Sequence, residues 1–443
     1  MFGRLTNCCW RFEISDQRVR YNEDVLKVVN AQLVIILMLV AIYFLQVATP
    51  LRLHPDTVVL LSVAETAAHG GGYLYHGKPK VFPPGYPALL AFLIRSHLAY
   101  VWVIVGINVT FVVIGLLAVY YIFRSESFNK PSVLGICLLS LLSFVFVKYS
   151  VIPLTDTIFF GVSMCGLGLM KQGGASQFSW RRLMGSVALV IASVCIRRIG
   201  VALIPALLYS VVFQSGVRLY IMRLSFRIKA ATVLLAASVG AGIVWVISTT
   251  SRLSDFSMVL TGHTLIESVC RILAFRLKEL GEIAVNLPAA ALPLKVQGIL
   301  PAIGILVFLL IFAGVAWRKQ FGVVEAYFLS YIAVILVWPF YDPRFWLPVI
   351  PFLIAYSGLA LKRLIQGEIV KHIVEGYVMM FVLMGILMLA SNTRLSYSGS
   401  GFGDLYTEGR YHSTYCAVWH CKSVDSSRVD MDGLHLLLLY KQN

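Results

Sequence analysis

Charge is in short supply in this 443-residue chain: Asp, Glu, Lys and Arg together make up 13% of it, against about 25% in an ordinary soluble domain. That shortage argues against a water-soluble enzyme or a nucleic-acid-binding domain. Acidic residues are the scarcer kind, 21 against 37 Lys and Arg. The basic excess sits in short clusters between apolar runs, where it orients a chain in a membrane rather than binding nucleic acid. Two catalytic signatures are also lacking, a Walker-type glycine loop and a Ser-His-Asp nucleophile elbow. The eight cysteines are too scattered for a disulfide framework, and Cys137, Cys165 and Cys195 read as small hydrophobes inside apolar runs. No internal repeat, low-complexity tract or long linker divides the chain.

Long uncharged stretches are what the sequence has instead. They run from Lys27 to Arg52, Arg95 to Arg124, Lys229 to Arg252 and Lys295 to Arg318, each long enough for the roughly 20 apolar residues a spanning helix needs. The first lies too far from the start, and is too long, for a cleaved signal, so it is expected to be a retained span. Shorter runs at 131–147, 151–170, 183–196, 199–217, 326–341, 345–361 and 376–393 bring the expected total to about eleven. One choice decides the topology. Residues 183–217 form either one span with Arg197 and Arg198 at its middle or two short spans joined there. Adjacent mid-bilayer arginines are costly, so the two-span reading is taken. It places loops 124–130, 171–182, 215–229, 317–322 and 362–372 beside the N-terminal segment on the positive, inner side. The outer face then receives loops 50–98 and 249–295 and the tail 392–443. The expected fold class is an all-α polytopic transmembrane bundle with a small outer cap. Its parts are a membrane domain over 1–391 and an outer-face tail over 392–443.

The first outer loop carries the densest chemistry. It reads Leu53-His54-Pro55-Asp56-Thr57, then an apolar run containing Glu65, then His69-Gly70-Gly71-Gly72-Tyr73. The pattern predicts a surface helix of about thirteen residues with Asp56 as N-cap and Gly70 as its stop. Nine residues apart, Asp56 and Glu65 fall on opposite faces, about 13 Å apart along the axis, so they cannot form a close carboxylate pair. Either acid can serve alone as a general base; equally, Asp56 can merely cap and Glu65 can merely be solvated. Next comes Val81-Phe82-Pro83-Pro84-Gly85-Tyr86-Pro87, a rigid helix entry in which Tyr86 suits a half-wet position. Asp156 in Pro153-Leu154-Thr155-Asp156-Thr157 stands at the outer end of its span, as a helix cap or as a second acid facing Asp56. Arg197, Arg198 and Arg344 are expected at the outer mouth. There they either snorkel to lipid headgroups or grip a phosphate. Lys78 and Lys80 are loop cations that can guide the same group. Residues 249–295, with Arg271, Arg276, Lys278, Glu279 and Glu282, read as an interfacial outer helix. In the tail, His412, Cys416 and His420 share one helical face and offer a metal set, with a Cys416–Cys421 disulfide as the favoured alternative.

Several of these motifs, taken in order over residues 30–361, resemble the GT-C membrane glycosyltransferases. They are the acid after the first span, the helix ending in a glycine turn, Pro83-Pro84-Gly85-Tyr86-Pro87, and Asp342-Pro343-Arg344-Phe345 leading to Leu347-Pro348 and Pro351. The nearest likeness is to the bacterial branch of protein O-mannosyltransferases and lipid A aminoarabinose transferases. The resemblance implies an inverting transfer of sugar from a polyprenyl-phosphate-linked donor to a lipid, glycan or protein acceptor on the outer face of a bacterial inner membrane. It makes Asp56 the base, with Asp156 or Glu65 as acceptor or second acid. With such a donor, the outer-mouth cations Arg344, Arg197, Arg198 and Lys78 are the candidates to hold its phosphate, and His54 and Tyr86 are expected beside the substrate cavity. It makes no cofactor certain, and a divalent cation is the one candidate. Where that family often has a second acid beside the first, this chain has Thr57. The competing reading is a transporter or flippase of a lipid-linked saccharide. The sequence shows neither inverted halves nor deep ionisable groups for it, since Glu325 and Glu375 fall near span ends.

Overall fold

The computed structural model describes residues 6–79, 82–126, 128–172, 179–213, 265–318, 321–365, 367–406, 411–421 and 426–441. The expected span between Lys229 and Arg252 and the loop 215–229 lie outside these residues. Among the described residues, five stretches are long and apolar enough to cross a membrane: Leu26–Ala48, Val101–Ser125, Leu294–Arg318, Pro343–Leu364 and Glu368–Ser396. The protein is a helical polytopic membrane bundle with almost no strand, as the hydropathy pattern predicts.

In chain order the main helices are α1 (Thr6–Leu45), α2 (Pro55–Ala68), α3 (Gly85–Arg95), α4 (Val101–Ser125), α5 (Lys130–Leu141), α6 (Phe144–Tyr149), α7 (Thr155–Gln172) and α8 (Trp180–Ile196). There follow α9 (Leu203–Phe213), α10 (Leu265–Val285), α11 (Leu300–Arg318), α12 (Val323–Val337), α13 (Ile350–Leu364), α14 (Glu368–Ser396), α15 (His412–Trp419) and α16 (Met431–Lys441). Between α2 and α3 a two-stranded antiparallel hairpin pairs Leu74 with Pro79 and Tyr75 with Lys78.

Small residues set the closest approaches, as is usual where apolar helices pack without help from water. Gly115 of α4 admits the ring of Phe160, and Gly161 of α7 admits Phe111. Aromatic side chains fill the centre: Phe123, Tyr327 and Phe328 all pack around Phe352. The chain breaks where the arginine pair predicts. Helix α8 stops at Ile196, a 3-10 turn covers Arg198–Ala202, and α9 then begins. The ends of several helices also meet through a largely buried charge network. Glu126 at the end of α4 pairs with Lys171 of α7 and Arg318 of α11, and Arg318 also pairs with Glu325 of α12.

Three sequence expectations need correction. The run 131–147 is not one continuous helix but α5 and α6, separated at Leu142 and Ser143. There the Asn286 amide accepts from Phe144 N–H and donates to the Leu142 carbonyl, satisfying the broken backbone. The segment 249–295, where described, is not an interfacial outer helix: α10 packs antiparallel along α11, with Gly281 against Leu300 and Gly304 against Leu277. Its first turns expose Ile266, Val269 and Leu273, an apolar face suited to lipid rather than water. Finally, the tail does not begin at 392, because α14 runs unbroken through Ser396. Beyond it the chain folds back over the first loop. The Tyr415 hydroxyl accepts from Leu53 N–H at 2.5 Å and donates to the Leu51 carbonyl at 3.0 Å, while Tyr406 donates to the Leu53 carbonyl. A Cys416–Cys421 disulfide closes the end of α15.

Candidate functional site

The site starts with the entry to α2. Extended backbone at His54, φ −135° and ψ 152°, makes this residue the N-cap, and its Nδ1 accepts the Asp56 N–H at 3.2 Å. Pro55 fills the first helical position, where a missing N–H costs nothing. Asp56 is therefore not the cap that the spacing predicts. With His54 doing that work, its carboxylate stays in the first turn, where the helix dipole favours negative charge, and its side chain is 38% exposed into a cavity. Next to it, buried Thr57 donates to the Pro153 carbonyl at 3.1 Å. This tether, at the position where the resembling family often has a second acid, draws α2 toward the start of α7 and so brings Asp56 near Asp156. The helix ends as expected, with Gly70 at φ +82°, a left-handed conformation that glycine adopts without a steric cost.

Opposite α2 stands Arg344. Asp342 caps the 3-10 turn Pro343–Val349 and accepts from Arg344 N–H at 3.1 Å. The buried Arg344 guanidinium pairs with Asp56 through one terminal nitrogen. Its Nε lies 2.7 Å from Asp342 Oδ2, and its other terminal nitrogen lies 3.9 Å from Asp156 Oδ2. Asp156, fully buried in the first turn of α7, is in turn paired with Arg197. The Phe345 ring receives both arginines, with guanidinium carbons at 5.1 Å and 5.4 Å from its centroid. Four segments that are far apart in sequence thus bring together three aspartates and two arginines.

The environment sets the charge of the two groups on α2. Burial opposes ionisation of Asp56, but the charge and hydrogen bond of Arg344, with smaller help from His54 and Arg197, hold its carboxyl below the ordinary aspartate value. His54 is pushed down to about 4, first by burial and then by the positive charge of Arg344. At neutral pH Asp56 is a carboxylate beside a neutral imidazole.

Beneath this cluster lies a pair that sequence reasoning missed. Buried Glu279 accepts from Asp342 N–H and from Trp346 Nε1, each at 2.7 Å, and pairs with Arg276 at 2.6 Å. Arg276 also donates to the Phe340 carbonyl. The alternating charges of this segment read as an interfacial helix, and nothing local separates Arg276 and Glu279 from Arg271, Lys278 and Glu282 on the same helix.

The cavity is about 880 Å³ and is lined by His54, Asp56, Arg197, Arg198, Arg344, Asp342, the hairpin residues Tyr75, His76 and Lys78, and an aromatic wall of Phe82, Trp338, Phe340, Tyr341 and Phe345. Asp432 of α16 holds the hairpin, accepting from Tyr75 OH at 2.6 Å and lying 2.9 Å from His76 Nε2. Lys80 lies outside the described residues. Two expected cavity residues are elsewhere. Glu65, on the far face of α2, points to His435 at 3.4 Å. Tyr86 is buried rather than half-wet, packed in the core. A divalent cation fits this cluster poorly, because guanidinium groups already face the carboxylates of Asp56, Asp156 and Asp342.

No protein-family model and no curated protein matches the chain. Among solved structures it is similar to ArnT from Cupriavidus metallidurans bound to undecaprenyl phosphate, with 15% identity and a TM-score of 0.49 over 88% of this chain and 68% of that one. It is likewise similar to the same protein in the apo state, with 16% identity and a TM-score of 0.46 over 90% of this chain and 69% of that one. The likeness is one of chain course; the functional reading rests on the side chains of the cavity.

Proposed function

We propose that the cavity transfers a sugar from a polyprenyl-phosphate-linked donor to an acceptor hydroxyl or amine carried by a lipid, glycan or protein. Asp56 takes the acceptor proton as the acceptor atom bonds to the anomeric carbon. The bond from that carbon to the phosphate oxygen breaks, and its electron pair leaves with the phosphate. One displacement of this kind inverts the anomeric configuration. The positive-inside pattern supports an outward-facing cavity, and the sequence resemblance supports the periplasmic or extracellular face of a bacterial inner membrane.

The observation that carries this reading is an ionised, cavity-exposed Asp56 facing a cationic wall. A leaving phosphate needs positive charge where its own charge develops. Arg198, Lys78 and the exposed edge of Arg197 supply it, and the aromatic wall suits an isoprenoid chain. Arg344 takes a different part from the phosphate grip that the resemblance implies. With three aspartates around it, it positions Asp56 and keeps it ionised. When Asp56 accepts a proton, Asp342 and Asp156 remain to balance the guanidinium.

In purified protein, Asp56→Asn is expected to bind the lipid-linked donor and to lose about 10²–10⁴ in kcat for transfer. Full transfer by this variant removes Asp56 from the role of base. The flippase reading is tested in vesicles: movement of a labelled lipid-linked sugar across the bilayer, with no attachment to an acceptor, would replace the transferase reading.

A further inference from the structure

Outside the cavity lining, three side chains of the tail, Asp404, Cys416 and Cys421, come together, and His412 stands against one of them, Cys416. Carboxylate and sulfur atoms of Asp404, Cys416 and Cys421 all lie within 4.8 Å of one another. From one turn up the same helix, His412 brings Nε2 to 3.7 Å from Cys416 Sγ. In a tetrahedral site with Zn–S near 2.3 Å and Zn–N near 2.0–2.1 Å, the sulfur-to-nitrogen edge is about 3.6 Å. The two residues are already at that separation.

The imidazole is also set up correctly. His412 Nδ1 lies 3.3 Å from the Tyr406 carbonyl, so its N–H points there and the Nε2 lone pair faces Cys416. Metal-bound histidines almost always carry this outer hydrogen bond, which fixes tautomer and ring angle. Gly403 makes room: a β-carbon there would press on Cys421 Sγ and on the Trp419 side chain. Asp404 is exposed while Cys416 is buried, which leaves an entry path on one side and protein on the other. The helical-face trio His412, Cys416 and His420 is not the set that assembles. His420 sits past the end of α15 in left-handed backbone at φ 55°, and Asp404 and Cys421 are the partners instead.

We propose that, with its two cysteines reduced, this quartet binds one Zn²⁺ through Asp404, His412, Cys416 and Cys421, as an alternative to the disulfide in closing the tail. A thiol or phosphine reductant supplies the two electrons that open the S–S bond and is itself oxidised. The two sulfurs then separate to the roughly 3.8 Å edge of a tetrahedron. Zinc displaces both thiol protons to solvent, while histidine binds neutral and aspartate as carboxylate. Four protein ligands leave no open coordination position, so the site is structural rather than catalytic.

The full chain in detergent, reduced with a phosphine and freed of metal, is titrated anaerobically with Co²⁺ and then with Zn²⁺. One Co²⁺ per chain is expected, with thiolate-to-cobalt charge transfer and the intense visible bands of a tetrahedral ion, all lost on adding Zn²⁺. His412→Ala and Asp404→Ala keep the cysteine pair and are expected to weaken binding by at least about tenfold, the low end of what losing even an outer-shell partner costs. Absence of stoichiometric cobalt bands in the reduced wild type overturns the proposal. So does His412→Ala binding cobalt as tightly as wild type, since binding would then need only the dithiol.

Discussion

Arg344 binds Asp56 across a sequence separation of 288 residues, joining the first turn of α2 to the turn that opens the Pro343–Leu364 span. The pairing fixes where the carboxylate points and makes it ionise more easily.

Replacing Arg344 by lysine keeps the charge but loses the fork that reaches Asp56 and Asp342 together. Asp56 then loses part of what holds its carboxyl down. As a base it works only when deprotonated, so transfer falls as pH drops through its pKa. The acid limb of the pH–rate profile is expected to move to higher pH in Arg344→Lys, and Asp56→Asn is expected to lose about 10²–10⁴ in kcat. An unmoved limb would separate the limb from Asp56.

His54 binds fewer protons in the folded protein than in the unfolded chain between its ordinary pKa of 6.5 and about 4. Stability therefore rises with pH across that window and falls as the pH drops through it. His54→Asn retains an N-capping side chain but cannot titrate. Thermal unfolding between pH 7 and pH 5 is expected to shift less in this variant than in wild type. His54→Ala, which also loses the cap, should cost about 1 kcal/mol at either pH.

Glu279→Gln leaves Arg276 buried without its carboxylate, a kind of loss that costs about 3–5 kcal/mol. Adding Arg276→Met removes the stranded charge, so the double variant should melt above Glu279→Gln. Unfolding in detergent measures the coupling, and additive losses would show that the two residues act independently.

Tyr415→Phe strands the Leu53 N–H and the Leu51 carbonyl, at about 1–3 kcal/mol for each buried group left unpaired. Limited proteolysis should cut this variant faster between residues 397 and 441. Asp432→Ala releases the hairpin that carries Lys78, and the expected result is a higher KM for donor with kcat nearly unchanged.

Legibility in the sequence followed the strength of the physical constraint. Membrane thickness and the cost of buried charge are severe, so the long apolar helices and the break at Arg197 and Arg198 could be read from apolar runs and clustered charge. The Gly70 stop could be read because left-handed backbone selects glycine. That Asp156, Arg197 and Arg344 share one outer cavity with Asp56 follows from the topology and the resemblance, but which of them pair does not, since pairing across hundreds of residues leaves no local pattern. Cap assignment failed at Asp56 because an imidazole nitrogen can accept the same N–H as a carboxylate. Arg276 and Glu279 read as part of an interfacial helix because charges on one helix face read alike whether that face meets headgroups or a buried backbone turn. Tyr86 was misplaced because a tyrosine after prolines suits an interface and a core equally.

The contact between Tyr75 and Asp432 joins residues 357 positions apart. A ribosome must therefore add 357 residues after Tyr75 before the lip of the cavity can be fastened. Until then the nascent protein presents an unfinished rim at the membrane surface, and folding of the transmembrane helices alone cannot complete the compartment.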